Sequence, residues 1–184
     1  MKNLRLLIFL VVALLQLSVP AFAVWKREQT LRQGRVWKFK TAPVDPEDAV
    51  RGRYIALSFA IEEFPQSERV AWKPQVYVAL KEDPNGFAQI EGLSDTPLTG
   101  DNVIRAETRG WYEGKQMLTF PFRTYWVSEK LAPEAETAYR ANSRRGKENA
   151  FVTVRVREGD AALEQLYLEN QPLGDYLRGQ RSNK

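Results

Sequence analysis

The 184-residue chain contains neither cysteine nor histidine. The first absence means that no disulfide braces the fold, and it leaves the redox compartment open. The second removes the usual general base near neutral pH and the commonest transition-metal ligand. Neither a cofactor nor a metal site is expected. A strong charge of one sign is missing too. The formal net charge is +4, and setting aside Lys2 and Arg5 leaves 25 basic residues against 23 acidic ones, with the signs interspersed. No RNP-like segment, helix-turn-helix or zinc spacing accompanies that small excess, so no nucleic-acid partner is expected. The chain also lacks internal repeats, heptad runs and low-complexity segments.

Aromatic and β-branched residues are plentiful, and one domain of ordinary size has room for a real core. Residues 6–25 carry no charge. As a helix they span about 30 Å, the thickness of a hydrocarbon core. Two readings of them stand. As a signal peptide, Ala21-Phe22-Ala23 is an acceptable cleavage site. As an uncleaved anchor, the apolar run continues through Val24 to Trp25, whose indole suits the interface, and Pro20 is tolerable near the outer end. The residues alone leave the two readings side by side. Next to a bilayer, the basic cluster of Lys26, Arg27, Arg32, Arg35, Lys38 and Lys40 meets lipid phosphates. Orientation is divided: a literal count of positive charge puts the following domain in the cytoplasm, and the signal-like layout puts it outside.

Beyond the anchor, residues 28–34 read as a short helical extension stopped by Gly34. Residues 36–41 alternate as a strand, with Trp37 and Phe39 opposite Lys38 and Lys40. A capped turn follows: Asp45 suits the N-cap, Pro46 the first helical position, Asp48 a return carboxylate, and Gly52 a left-handed stop. A long strand then runs to Ile61, with Ile55, Leu57, Phe59 and Ile61 on one face. Residues 62–73 read as a loop. Residues 75–82 and 87–90 form a hairpin around Asp83-Pro84-Asn85-Gly86. A loop over 91–101 leads to a second hairpin, 102–108 with 116–122, around residues 109–114. Residues 133–144 form a helix, with Pro133 at its start, Glu136 able to pair with Arg140, and Gly146 as its stop. A third hairpin pairs 151–157 with 161–168 around Glu158-Gly159-Asp160. The polar tail is expected to fray, with residues 173–177 docking weakly.

The order of three motifs resembles the GDYXXLXY family of bacterial membrane-anchored proteins. The signature stands as Gly52-Arg53-Tyr54-Ile55-Ala56-Leu57-Ser58-Phe59, where Arg53 and Phe59 depart from the family's Asp and final Tyr. Its lead-in is Pro43-Val44-Asp45-Pro46, with Asp48 and Arg51-Gly52. The segment Phe120-Pro121-Phe122-Arg123-Thr124-Tyr125-Trp126-Val127-Ser128-Glu129 is similar to the family's aromatic-rich stretch ending in Glu. Ala150-Phe151-Val152-Thr153-Val154-Arg155-Val156 resembles its last strand pair. The likeness runs from the hydrophobic N-terminus to about Leu168. It implies a single-pass anchor in a bacterial inner membrane, a periplasmic domain and association with a polytopic membrane protein. It lends placement and not a mechanism.

Each candidate site has a plainer account beside it. Asp45 and Asp48 are spaced to bind a cation or act as acid and base, yet capping explains both. Arg51 and Arg53 are suited to clamp a carboxylate or phosphate, or Arg51 simply pairs with Asp48. Glu129 reads either as a buried acid with a raised pKa or as an ion-pair partner for Arg123. Ser128 and Lys130 would share a strand face as a nucleophilic dyad, but no oxyanion turn surrounds them. Tyr54, Trp111, Tyr112, Tyr125 and Trp126 line one groove if their hairpins meet.

The expected fold is α+β: an N-terminal membrane helix, then a mostly antiparallel sheet or small sandwich with one helix before the last hairpin. Its parts are an anchor at 1–25, a juxtamembrane linker at 26–34, a β-rich domain at 35–168 and a polar tail at 169–184. The expected role is a non-catalytic envelope module that binds or assembles with another membrane protein. The alternative is a carboxylate-dependent envelope hydrolase or a carbohydrate-binding protein. An accessible cleft holding Glu129 and a second acid about 5–10 Å apart distinguishes the enzyme.

Overall fold

The computed structural model describes residues 2–43, 54–65, 74–144 and 146–182. The capped turn expected around Asp45, Asp48, Arg51 and Gly52 lies outside the described residues. So do Arg53 and the stretch holding Val70, Ala71 and Trp72.

The chain opens with α1 (Lys2–Gln33), one unbroken helix that contains Pro20. At 32 residues it is about 48 Å long. The apolar run and the basic extension are thus a single rod. Next come β1 (Arg35–Ala42), β2 (Tyr54–Ala56), β3 (Ser58–Phe59), a 3-10 turn at Ala60–Glu62, and β4 (Glu63–Pro65). β5 (Gln75–Glu82), β6 (Ala88–Ser94), β7 (Val103–Tyr112), β8 (Lys115–Thr119) and β9 (Thr124–Trp126) lead to α2 (Ala132–Ser143). The chain finishes with β10 (Ala150–Arg157), β11 (Asp160–Leu168), β12 (Gln171–Pro172) and α3 (Leu173–Ser182).

Two five-stranded sheets, ordered β12-β11-β10-β1-β3 and β4-β8-β7-β5-β6, share one core, and β2 pairs with β9 as a separate ribbon. Every ladder is antiparallel. The expected α+β architecture, with a helix just before the β10–β11 hairpin, is the observed one. Period-two alternation drives it. In β1, Trp37 and Phe39 are buried while Lys38 stays exposed; in β5, Val76, Val78 and Leu80 are buried in the same way. The centre of the core is aromatic. Phe122 stacks on Phe120 at 5.3 Å and meets Phe39 and Phe59 at 5.0 and 5.2 Å between ring centroids. Such offset and tilted contacts add to the burial each ring already gains.

Several boundaries differ from the sequence reading, each for a physical reason. The strand expected to run unbroken to Ile61 divides at Leu57. β2 pairs with β9 and β3 with β1, so the chain changes sheets while Ile55, Leu57 and Phe59 all stay buried. Glu63 to Pro65, read as loop, are the edge strand β4, held by pairing with β8. β6 runs on to Ser94, and β7 to Tyr112, where Glu113 and Gly114, both with positive φ, make a two-residue turn. Gly34 ends α1 through closeness, not through a left-handed conformation. A Cβ there would lie 2.5 Å from the Thr30 carbonyl oxygen and 3.0 Å from that of Val156 in β10. The tail does not fray: Leu173 and Leu177 of α3 are buried, and Arg181 pairs with Glu134 of α2.

Candidate functional site

Four of the residues singled out in the sequence come together on the β2–β9 ribbon and the turn before it. Tyr54 and Trp126 are cross-strand partners, their rings in edge contact at 5.4 Å. Tyr125, opposite Ile55, points the other way, and its hydroxyl accepts a hydrogen bond from Gln165 Nε2 at 3.2 Å. Burial pushes the Tyr125 phenol up from its ordinary pKa. Trp126 remains 69% exposed. Trp111 and Tyr112 end β7 in the other sheet and are also exposed.

Arg123 forms an ion pair with Glu62, a residue the sequence reading passed over. Nε and Oε1 stand 3.3 Å apart, without the alignment of a hydrogen bond. The other Glu62 oxygen accepts from the Ser58 hydroxyl at 3.1 Å. Burial raises the Glu62 pKa, and the nearby Arg123 charge only partly offsets it. The clue in the sequence was the break in alternation at Glu62, where the 3-10 turn carries a carboxylate inward. Glu129, by contrast, is exposed, which removes the buried-acid reading. Ser128 and Lys130 are in the turn leading into α2 and not on a strand, so the basis for a shared-face dyad goes too. Asp45, Asp48 and Arg51 lie outside the described residues. Among the described residues, no group of three or more acidic side chains gathers as a possible metal site.

A sizeable cavity lies elsewhere, where α1 meets the head. It measures about 690 Å³ and is bounded by Val24, Lys26, Arg27, Arg105, Phe120 and Asp160, among others. Asp160 opens β11 beside the tight Glu158-Gly159 turn, whose residues both have positive φ. Its carboxylate pairs with Lys26 Nζ at 2.6 Å and with the Arg105 guanidinium. The backbone N–H of Arg105 donates to the Gly159 carbonyl at 3.0 Å, next to a parallel bridge between Ile104 and Gly159. One acidic side chain thus ties the helix to both sheets. Glu129 does not line this cavity, nor do Tyr54, Arg123, Tyr125 and Trp126. Glu129 and a second acid therefore do not meet in this cavity.

The chain belongs to the GDYXXLXY protein family, whose model matches residues 16–166. No curated protein and no solved structure matches it.

Proposed function

We propose that this member of the GDYXXLXY family is a single-pass, membrane-anchored and non-catalytic module of the bacterial envelope. Its head stands on the periplasmic side of the inner membrane and engages a polytopic membrane protein. One observation carries the reading. α1 is long and apolar enough from Leu6 to Gln33 to cross a membrane, and its apolar window is not buried in the head at all. Phe9, Leu14 and Leu15 each keep about two thirds of their surface exposed and point to different sides of the helix. A helix that is apolar all round and covered by no other element needs lipid around it.

The head offers exposed aromatics of the kind that anchor interfaces, Trp126 and Tyr112 foremost. The test is to purify the full chain from its native membranes and measure which integral membrane protein co-purifies in fixed stoichiometry. Trp126→Ala with Tyr112→Ala should weaken that association by about tenfold or more, as loss of an aromatic anchor does. Association that is unchanged in the double variant, or a turnover that follows the purified chain, overturns the reading.

A further inference from the structure

We propose that the cavity at the junction of α1 and the head is a binding site for one anionic glycerophospholipid of the bilayer that α1 crosses. The inference rests on the membrane-anchor reading and gives it a ligand. The position is right for a lipid. The charge-free run ends at Trp25, and the cavity wall begins with Ala23 and Val24 and continues through Lys26, Arg27 and Thr30. Those helix residues rise by about 10 Å, a path from the edge of the hydrocarbon into the headgroup layer. The lining divides in the same way. Val24, Ala106, Phe120, Pro121 and Ala162 give apolar surface suited to the first part of an acyl chain, while Lys26, Arg27 and Arg105 bring positive charge.

The charges within the cavity are unequally used. Asp160 holds both Lys26 and Arg105 in place. Among the described residues of the lining, Glu107 is the only other acidic one. Arg27 is exposed at the rim with no hydrogen bond or ion pair to the described residues. A guanidinium held at that depth is a natural partner for a phosphate diester. The second observation is a polar group without a partner. Thr119 lines the cavity, and its hydroxyl, shut off from it and from solvent, has no hydrogen-bond partner among the described residues. A buried hydroxyl left this way is costly, and turning the Thr119 side chain toward the cavity would let a glycerol or phosphate oxygen of a bound headgroup satisfy it. The volume, about 690 Å³, suits a glycerol-phosphate headgroup with the start of one chain. The neutral alternative, a zwitterionic lipid, would leave the net positive charge of the lining uncompensated.

The experiment uses the full chain in nanodiscs of phosphatidylcholine containing a minority of phosphatidylglycerol. Native mass spectrometry after gentle release counts the lipid retained per chain. The expected result is one phosphatidylglycerol, held about tenfold or more in preference to phosphatidylcholine. Arg27→Glu should cut that retention about fivefold or more, the scale of losing one basic residue at a membrane surface. Ala161→Trp, which fills the cavity, should abolish it. Thr119→Val, nearly isosteric, should lower it about two- to threefold and carries the test if the tryptophan variant does not fold. Equal retention of the two lipids overturns the proposal. So does undiminished retention in Arg27→Glu and Thr119→Val, or displacement of phosphatidylglycerol by inorganic phosphate at equal concentration. A chain that fails to enter the bilayer defeats the anchor reading itself, whereas a chain that enters it and keeps no lipid defeats only this inference.

Discussion

The stalk and the head draw on the same apolar side chains and treat them in opposite ways. In the head, Phe39, Phe59 and Phe120 are at most 2% exposed, whereas in the stalk Phe9, Leu14 and Phe22 keep more than 60% of their surface. The head solves its burial problem internally, through alternation along strands and sheets that share one core. The stalk has no such solution, because its apolar residues point in every direction and only the basic end of the rod touches β10 and β11. Hydrophobicity alone does not decide where a residue goes; its periodicity does. At the junction between the two regions charge organises the contact, through Asp160.

That contrast can be tested from its strongest element to its weakest. Leu14→Arg with Leu15→Arg puts two charges at the middle of the stalk, at a cost of about 5–7 kcal/mol for insertion. The chain should leave the membrane fraction on sedimentation while its head keeps the circular dichroism of the wild type. Phe39→Ala removes the ring that meets Phe59, Phe120 and Phe122. It should destabilise the head by about 3–5 kcal/mol in denaturant titrations without changing membrane recovery. Asp160→Asn leaves Lys26 and Arg105 without their shared acid. Because all three side chains are partly solvated, the loss should be about 1 kcal/mol. Faster hydrogen exchange should be confined to the last turns of α1 and the β10–β11 turn.

The smallest effect concerns Glu62, whose folded pKa is raised above its ordinary 4.5 by burial. Between the unfolded value and the raised one, the folded state binds more protons than the unfolded state, so this group's contribution to stability falls as pH rises through that window. Glu62→Gln cannot ionise. Relative to the wild type it should gain stability as pH increases from about 4.5 upward, measured as the difference between paired denaturation curves. A difference that stays flat across that range would show the carboxylate to be unperturbed.

The strands were legible where one face is buried and the other wet. β1 and β5 followed their alternation to within about a residue, whereas β10, buried on both faces over its first five residues, was legible from its β-branched run. The helix α2 was legible from Pro133 and from the Glu136–Arg140 pair, which forms at 2.7 Å. What the sequence could not display was partnership across distance. β4 is a three-residue strand with no pattern of its own, made a strand by β8. α3 reads as polar tail because only Leu173 and Leu177 face inward among charged neighbours. The site suffered most from this. Tyr54, Tyr125 and Trp126 were visible as aromatics in a motif. Arg105, Thr119 and Asp160 carry no local mark, and they meet Lys26 and Arg27 only once both sheets close on the end of α1.

The central claim is that α1 is a permanent stem in lipid and that the head never leaves it. The most direct measurement is the intact mass and N-terminal sequence of the chain recovered from cells, taken separately from the alkaline-washed membrane and the soluble fraction. The account predicts a chain in the washed membrane that keeps residues 6–25 and an empty soluble fraction. A soluble chain that begins at Val24 would contradict it.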